Sequence, residues 1–323
     1  MPEELRQAGF VALWHPGLMA VVLLLAAAYL LAVGSWRHRF PGSRPATGRQ
    51  KTAFLLGLLT LYLAVGSPLD FVSDNLLMSA HMAEHMLLTF VLPPLLLLGT
   101  PDWLLRPVVV GNPVVHRVFS RLTRPLTALV LFNLVFSLVH IPAIYDATLR
   151  NDPLHFTEHA VLVITGIFLW WPVLSPLPEM PRLSDMLQLG YLFINEIFQT
   201  IAFALITFAN HPLYSVYDNA PLLWGISRME DQQLGGVLMK MGAMASIIPA
   251  MWDAFFRWAR REGANRTDFL TAAVPPRSPG AAGIAHPAIT AAGGAGIETA
   301  ALRIDTADVA GAIGSGLPDP VRS

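Results

Sequence analysis

Seven long apolar stretches constrain this chain more than any other feature of its sequence. A transmembrane helix needs about 20 mostly apolar residues. The stretches occupy residues 17–35, 53–72, 78–99, 125–141, 159–175, 187–209 and 233–252. Only 13% of the 323 residues are charged, against roughly 25% in soluble domains. The sequence therefore predicts an all-α, polytopic integral membrane bundle with about seven transmembrane helices.

The composition changes near residue 265, where bulky apolar residues give way to Ala, Gly and Pro. A segment with so little apolar surface cannot offset the entropy lost on ordering. We therefore divide the chain into a seven-helix transmembrane domain over residues 1–265 and a disordered tail over residues 266–323.

The distribution of Lys and Arg predicts the orientation in the membrane, because short cytoplasmic loops are enriched in these residues. Fourteen of them lie in loops 1–2, 3–4 and 5–6 or just after the seventh stretch, whereas only Arg6, Arg150 and Arg228 lie on the other side. This asymmetry predicts an outer N-terminus and a cytoplasmic C-terminus.

Charge and cysteine content exclude several classes of function. The net charge of −1, without a basic stripe, gives no reason to expect a nucleic-acid partner. The chain has no cysteine, which removes disulfides and thiolate metal sites. Chemistry with a soft metal would have to use His and Met.

Histidines gather on the predicted outer side. Seven of the ten lie there, and two pairs share the pattern H-x-x-E-H at 81–85 and 155–159. On a helix, positions i and i+4 share a face, so His81 with His85, and His155 with His159, can flank or bind one ion. Glu84 and Glu158 are predicted to orient an imidazole or to handle a proton.

Further candidate ligands lie near these pairs. His140 ends the fourth stretch and His211 follows the sixth, both on the outer side. Met82 stands between Met78 and Met86 in an i, i+4, i+8 row. Thioether with imidazole favours copper, Cu(I) especially, although such a row is more often core packing. Asp70 and Asp74 offer possible oxygen ligands.

Polar residues within the later stretches have competing interpretations. Glu196 and Lys240 lie at membrane depth, where an ionisable residue is costly and indicates function. Glu196 is predicted to handle protons or to be a protonated hydrogen-bonding group. Asp231, at the polar start of the seventh stretch, is a candidate proton-handling residue or a helix cap.

The string HMAEHMLLTFVLPPLLLLGTP (81–101) resembles the signature of the CtaG-type cytochrome c oxidase assembly factors, a multi-helix membrane family. LHFTEHAVLVITGIFLWWPV (154–173), HPLYSVY (211–217) and DQQLGGVLMKM (231–241) resemble its later segments. The likeness covers about residues 15–255. It implies seven membrane helices in a bacterial plasma membrane and a non-enzymatic role in maturing the haem-copper oxidase, with oxidase subunits or other assembly factors as partners. Copper delivery is the favoured idea for such factors, and the matched candidates are His81, His85, His155, His159, His211 and Asp231.

Two other functions fit the same residues. H-x-x-E-H is also the inverted zincin pattern, and di-iron membrane enzymes use histidine boxes, so a membrane metalloenzyme is the runner-up. Histidines from two helices could instead hold haem. The twin motifs lie on helices of the same predicted orientation, which indicates a two-helix parallel repeat.

Overall fold

The computed structural model describes Gly9 and residues 13–273, and this part of the chain contains helices but no strand. The helices are α1 (Pro16–Val33), α2 (Gly48–Val65), α3 (Pro68–Asn75), α4 (Met78–Gly99), α5 (Asp102–Val109), α6 (Pro113–Leu122), α7 (Pro125–Val139), α8 (Pro142–Leu149), α9 (Asp152–Leu174), α10 (Asp185–Thr207) and α11 (Arg228–Ala273). Short 3₁₀ turns lie at Arg37–Arg39, Ser215–Tyr217 and Leu223–Gly225.

Five of these helices, α1, α4, α9, α10 and α11, are individually long and apolar enough to cross a membrane. Two bent pairs also pass this test: α2 with α3, which meet at 41°, and α6 with α7, which meet at 72°. The described chain therefore has five to seven candidate spans. The predicted all-α, polytopic membrane bundle is confirmed, while the orientation of its termini stays a prediction.

Two helix boundaries differ from those that the hydropathy of the sequence predicts. α9 begins at Asp152 rather than near residue 159, because the Asn151 side chain accepts a hydrogen bond from Leu154 N at 3.1 Å and caps the first turn. Both histidines of the second motif therefore lie on the helix. α11 continues to Ala273, past the predicted boundary at 265. The remainder of the predicted tail, 274–323, lies outside the described residues.

The described chain contains an internal repeat. The unit α2–α3–α4 and the unit α7–α8–α9 each consist of a long helix, an eight-residue helix that starts with proline, and a second long helix. Every junction is two residues long: Gly66–Ser67, Leu76–Leu77, His140–Ile141 and Arg150–Asn151. His81 and His155 are the fourth residues of α4 and α9, and His85 and His159 are the eighth. The predicted two-helix parallel repeat thus lies within a three-helix repeat in equal register.

A π-helical turn at Leu87–Val91 interrupts α4 just after its histidines. Pro93 and Pro94 lack the N–H groups that a regular helix would use there, and a wider turn accommodates this loss. α9 packs closely on this turn, because Gly166 has no side chain: a Cβ there would lie 3.1 Å from both Pro93 Cγ and Thr89 O. The close approach holds α4 and α9 side by side.

The main core fills the space among α4, α7, α9, α10 and α11, with Phe90, Phe132 and Trp170 almost fully buried. The methionine row of α4 packs against the last helix, where a Cβ at Gly235 would lie 2.9 Å from Met78 Sδ and 3.2 Å from Met82 Cγ. Apolar side chains on the outside of α1 and α10 are largely exposed, as lipid contact requires.

Candidate metal centre

The two H-x-x-E-H motifs meet in one cluster at the N-terminal ends of α4 and α9. The ring centroids of His81 and His155 lie 5.3 Å apart, and those of His85 and His159 also lie 5.3 Å apart. Within each motif the centroids are 4.3 Å and 4.2 Å apart. The parallel arrangement of the repeats therefore brings four predicted ligands together.

Each motif places its glutamate beside the second histidine of the other motif. His85 Nε2 lies 3.6 Å from Glu158 Oε1, and His159 Nδ1 lies 3.6 Å from Glu84 Oε1. These separations exceed a hydrogen-bond distance, so the groups are adjacent without bonding to one another. All four residues are buried.

The first histidines of the two motifs share a different carboxylate. Asp74, in α3, lies with Oδ1 3.7 Å from His81 Nδ1 and with Oδ2 3.5 Å from His155 Nδ1. The equivalent position of the second repeat, the seventh residue of α8, is Thr148. The repeat symmetry is therefore broken at this point, and only the first repeat supplies a carboxylate here.

Many polar atoms of the cluster lack partners. Within the described part of the chain, no hydrogen bond satisfies either nitrogen of His81 or His85, or Nε2 of His155 or His159. The same holds for both carboxyl oxygens of Glu158. Buried polar groups are nearly always satisfied in native proteins, so these residues fit a bound cation.

Two groups of three residues have ligand atoms within 4.8 Å of one another. We call His81, His85 and His159 the buried triad, since all three are buried, and Asp74, His81 and His155 the shallow triad, since Asp74 and His155 are partly exposed. His81 belongs to both. An imidazole has two nitrogens, so one histidine can face two positions.

His140, which follows the last residue of α7, lies beside the cluster with its ring centroid 5.4 Å from that of His85. Its Nδ1 donates to Phe136 O at 2.5 Å, which leaves Nε2 as the unprotonated nitrogen. Burial lowers the pKa of His140 to about 4, so the imidazole is neutral at physiological pH. Its position agrees with the predicted ligand role, which stays a prediction.

A layer of tyrosines covers the cluster. Tyr217 donates from its hydroxyl to Ser73 O at 2.7 Å, and so Tyr145 is the donor in the 2.8 Å bond between the two hydroxyls. Ser73 Oγ in turn donates to Glu84 Oε2 at 2.5 Å. Burial raises the pKa of Tyr145 and of Tyr217 well above 10, so both remain neutral donors. The ring centroid of Tyr145 lies 5.1 Å from that of His81.

Asp231 caps α4 rather than its own helix. Its carboxylate accepts from Met78 N at 2.8 Å, from Ser79 N at 3.2 Å and from Ser79 Oγ. Leu77, the residue before α4, has an apolar side chain that cannot accept a hydrogen bond from the first turn of the helix. Asp231 therefore fixes the start of the helix that carries His81 and His85.

Three predicted site residues have other surroundings. His211 is exposed in the loop after α10, and neither triad contains it; the buried residues of that loop are Tyr214, Tyr217 and Leu223. Met82 packs against α11. Glu196 forms an ion pair with Lys240 at 2.7 Å, which accounts for both charges at membrane depth. The proton-handling role of Glu196 and the ligand role of Met82 stay predictions.

Fold and cluster together define the class: a polytopic membrane protein whose two helical repeats enclose a buried centre of histidines and carboxylates. The family model described as the cytochrome c oxidase caa3 assembly factor (Caa3_CtaG) matches residues 27–261. The chain belongs to that family, as the likeness of its histidine segments predicted.

The chain is also similar to three mycobacterial proteins. It is 29% identical over 266 residues to the uncharacterized protein Mb0105 of Mycobacterium bovis and to the uncharacterized protein MT0111 of Mycobacterium tuberculosis. It is 25% identical over 279 residues to the uncharacterized protein ML1998 of Mycobacterium leprae. The matches cover 77–81% of this chain but span only 40–42% of the relatives. No solved structure matches the chain.

Proposed function

We propose that this assembly factor binds copper at the buried triad and delivers it to a subunit of the haem-copper oxidase. The observation that carries the proposal is the set of unsatisfied imidazole nitrogens on His81, His85 and His159, whose ligand atoms converge within 4.8 Å. Three imidazoles are a ligand set that suits copper and zinc. Among the divalent first-row metals, copper binds such nitrogen ligands most tightly.

The two glutamates that lie beside the histidine ligands support the same function. A carboxylate beside a metal-binding histidine fixes the orientation of the ring and raises its basicity. Glu158 lies 3.6 Å from His85 and Glu84 lies 3.6 Å from His159, so each carboxylate is positioned to accept a hydrogen bond when the histidine binds a metal. His140 and Met82 are further candidate ligands, from the end of α7 and from α4.

Burial favours holding an ion over catalysis. His81, His85 and Glu84 have no exposed surface, so a peptide or a lipid headgroup could not reach them without a rearrangement of the helices. We therefore assign no catalytic residue and regard the metal as cargo.

The proposed location is the outer side of the bacterial plasma membrane. The Lys and Arg distribution predicts that the N-terminal ends of α4 and α9 lie outside. Copper held there would lie close to the membrane surface, where an oxidase subunit or another assembly factor could accept it.

Metal analysis and an optical spectrum of the protein, purified without chelators, test the proposal. We expect stoichiometric copper in the wild-type protein, a loss of copper in His85→Ala, and no change in His38→Ala, which alters an exposed histidine away from the cluster. Cells with His85→Ala should also lose oxidase activity. Zinc or iron with turnover of a lipid or peptide would favour the metalloenzyme, and a Soret band would favour haem.

A further inference from the structure

A groove connects the shallow triad with the surface of the bundle. Its cavity of about 560 Å³ lies between α1, α2, α3 and α9. Apolar side chains form one part of its wall, and the polar part consists of His15, Asp70, Asp74, Asp152, His155 and His159. The polar part thus combines three carboxylates with three imidazoles.

The histidines of the groove become more buried toward the cluster. The side chain of His15 is 43% exposed and lies at the mouth, where its Nε2 is 3.2 Å from Asp70 Oδ2. Asp74 is 28% exposed, His155 is 13% exposed, and His81 is fully buried. A cation that followed these residues would meet a carboxyl or imidazole group at each step.

His15 has a backbone conformation that few residues other than glycine adopt, with φ 34° and ψ 67°. It directly precedes Pro16, the first residue of α1. This conformation sets the backbone at the start of α1, and the imidazole reaches Asp70 from there.

The two repeats differ at a position where the groove meets the cluster. The first repeat has Asp74, and the second has Thr148 at the equivalent place in α8. A threonine hydroxyl carries no charge to attract a cation. Because of this difference, the carboxylate that faces the groove comes from the first repeat alone.

We propose that this groove is the route by which copper reaches the buried triad, with the shallow triad as an intermediate position. The inference rests on the proposed copper binding. His81 belongs to both positions and can offer one nitrogen to each, while Asp74 and His155 are exchanged for His85 and His159. A carboxylate is a poorer ligand than imidazole for Cu(I), so the ion moves to the position that binds it more tightly.

The acidic groove raises the rate at which copper reaches the buried triad but does not raise the affinity of that triad for copper. Clefts lined with charge of one sign raise the association rate of an opposite charge by about 10- to 1,000-fold. Removal of a groove carboxylate should therefore slow the uptake of copper and leave the amount bound at equilibrium unchanged.

Rapid mixing of the full chain in nanodiscs with Cu(I), supplied as its cationic acetonitrile complex and quenched at set times with a coloured Cu(I) chelator, measures both quantities. We expect Asp74→Asn to load more slowly than wild type, by up to about tenfold, with the same endpoint. Asp70→Asn, at the mouth, should also load more slowly and provides a second variant if Asp74→Asn misfolds. Asp102→Asn makes the same chemical change after the far end of α4 and should load as wild type does.

The outcomes separate the route from the function. If wild type takes up copper and both groove variants load at its rate, the route is wrong and the copper site stands. An Asp74→Asn protein that is folded but binds no copper at equilibrium would also refute the route, because Asp74 would then belong to the final site. A wild-type protein that takes up no Cu(I) refutes the proposed function and the route together.

Discussion

Glu84 and His159 belong to different repeats, yet Glu84 Oε1 lies 3.6 Å from His159 Nδ1. The mirrored contact joins Glu158 with His85 at the same distance. Neither motif therefore pairs its glutamate with its own second histidine, and the centre exists only where α4 and α9 lie in parallel. The local motif H-x-x-E-H acts across the helix pair and not within one helix.

Glu84 and Glu158 occupy equivalent positions in the two repeats, so the removal of either one should have a similar effect on copper binding. Glu84→Gln and Glu158→Gln should each weaken copper affinity by about 10- to 100-fold, the usual effect of losing a carboxylate behind a metal-binding histidine. Competition with a Cu(I) chelator measures the affinity. Glu179→Gln, which alters an acid that pairs with Arg106, is the control. A change in only one of the two variants would contradict the reciprocal arrangement.

The cap that Asp231 provides should contribute to both stability and metal binding. Asp231→Ala removes the acceptor for two backbone N–H groups of α4, at a cost of about 2–3 kcal/mol. Thermal unfolding in detergent should show a lower midpoint, and copper affinity should fall because α4 carries two ligands. Asp218→Ala, which changes an exposed residue, is the control. Wild-type stability in Asp231→Ala would show that the start of α4 does not depend on this cap.

Much of this architecture could be predicted from the sequence, because apolar length alone identifies membrane helices. The two histidine pairs could be predicted as well, since the i, i+4 spacing places each pair on one face of its helix. The four side chains do meet. The repeat was visible only in its histidine helices, because α3 and α8 share few residues beyond the initial proline.

The partners of each histidine could not be predicted, because they come from other helices. The motif predicts that Glu84 orients an imidazole or handles a proton but does not indicate which imidazole, and the structure places it beside His159. Asp231 was expected to cap its own helix or to handle protons, and it caps α4 from 153 positions away. Tyr145 and Tyr217 were missed, since a tyrosine in a short segment has no periodic pattern that marks it as buried.

The hydroxyl of Tyr217 should stabilise the layer above the cluster. Tyr217→Phe removes the acceptor for Tyr145 and the donor to Ser73 O. It leaves a buried hydroxyl and a carbonyl without these bonds, at a cost of about 1–3 kcal/mol. Thermal unfolding checks this loss. Tyr62→Phe, whose hydroxyl bonds to Trp14 O at an exposed position, should have a smaller effect. Equal effects of the two variants would argue against a structural role for the tyrosine layer.

Close packing at the far end of α4 should affect folding without affecting the metal centre. A Cβ at Gly99 would lie 2.6 Å from Phe54 Cα, so Gly99→Ala must displace backbone, with a cost of about 1–3 kcal/mol. The folded fraction should bind copper with wild-type affinity. Gly190→Ala makes the same change where no atom lies within 4 Å, and should be neutral or stabilising. Loss of copper affinity in folded Gly99→Ala would mean that the two ends of α4 are coupled.

The ion pair of Glu196 and Lys240 should matter most when only one partner is removed. Lys240 Nζ lies 2.7 Å from Glu196 Oε2 and 3.2 Å from Thr200 Oγ1, and it stands over the ring of Phe203. A lone charge near the centre of a membrane helix costs about 2.5–3.5 kcal/mol. Lys240→Met and Glu196→Gln should therefore each be less stable than the double variant, in which no charge is left. Thermal unfolding of all four proteins measures the coupling. If Glu196→Gln is as stable as wild type but reduces oxidase maturation, the residue acts beyond its ion pair, as its predicted proton-handling role would require.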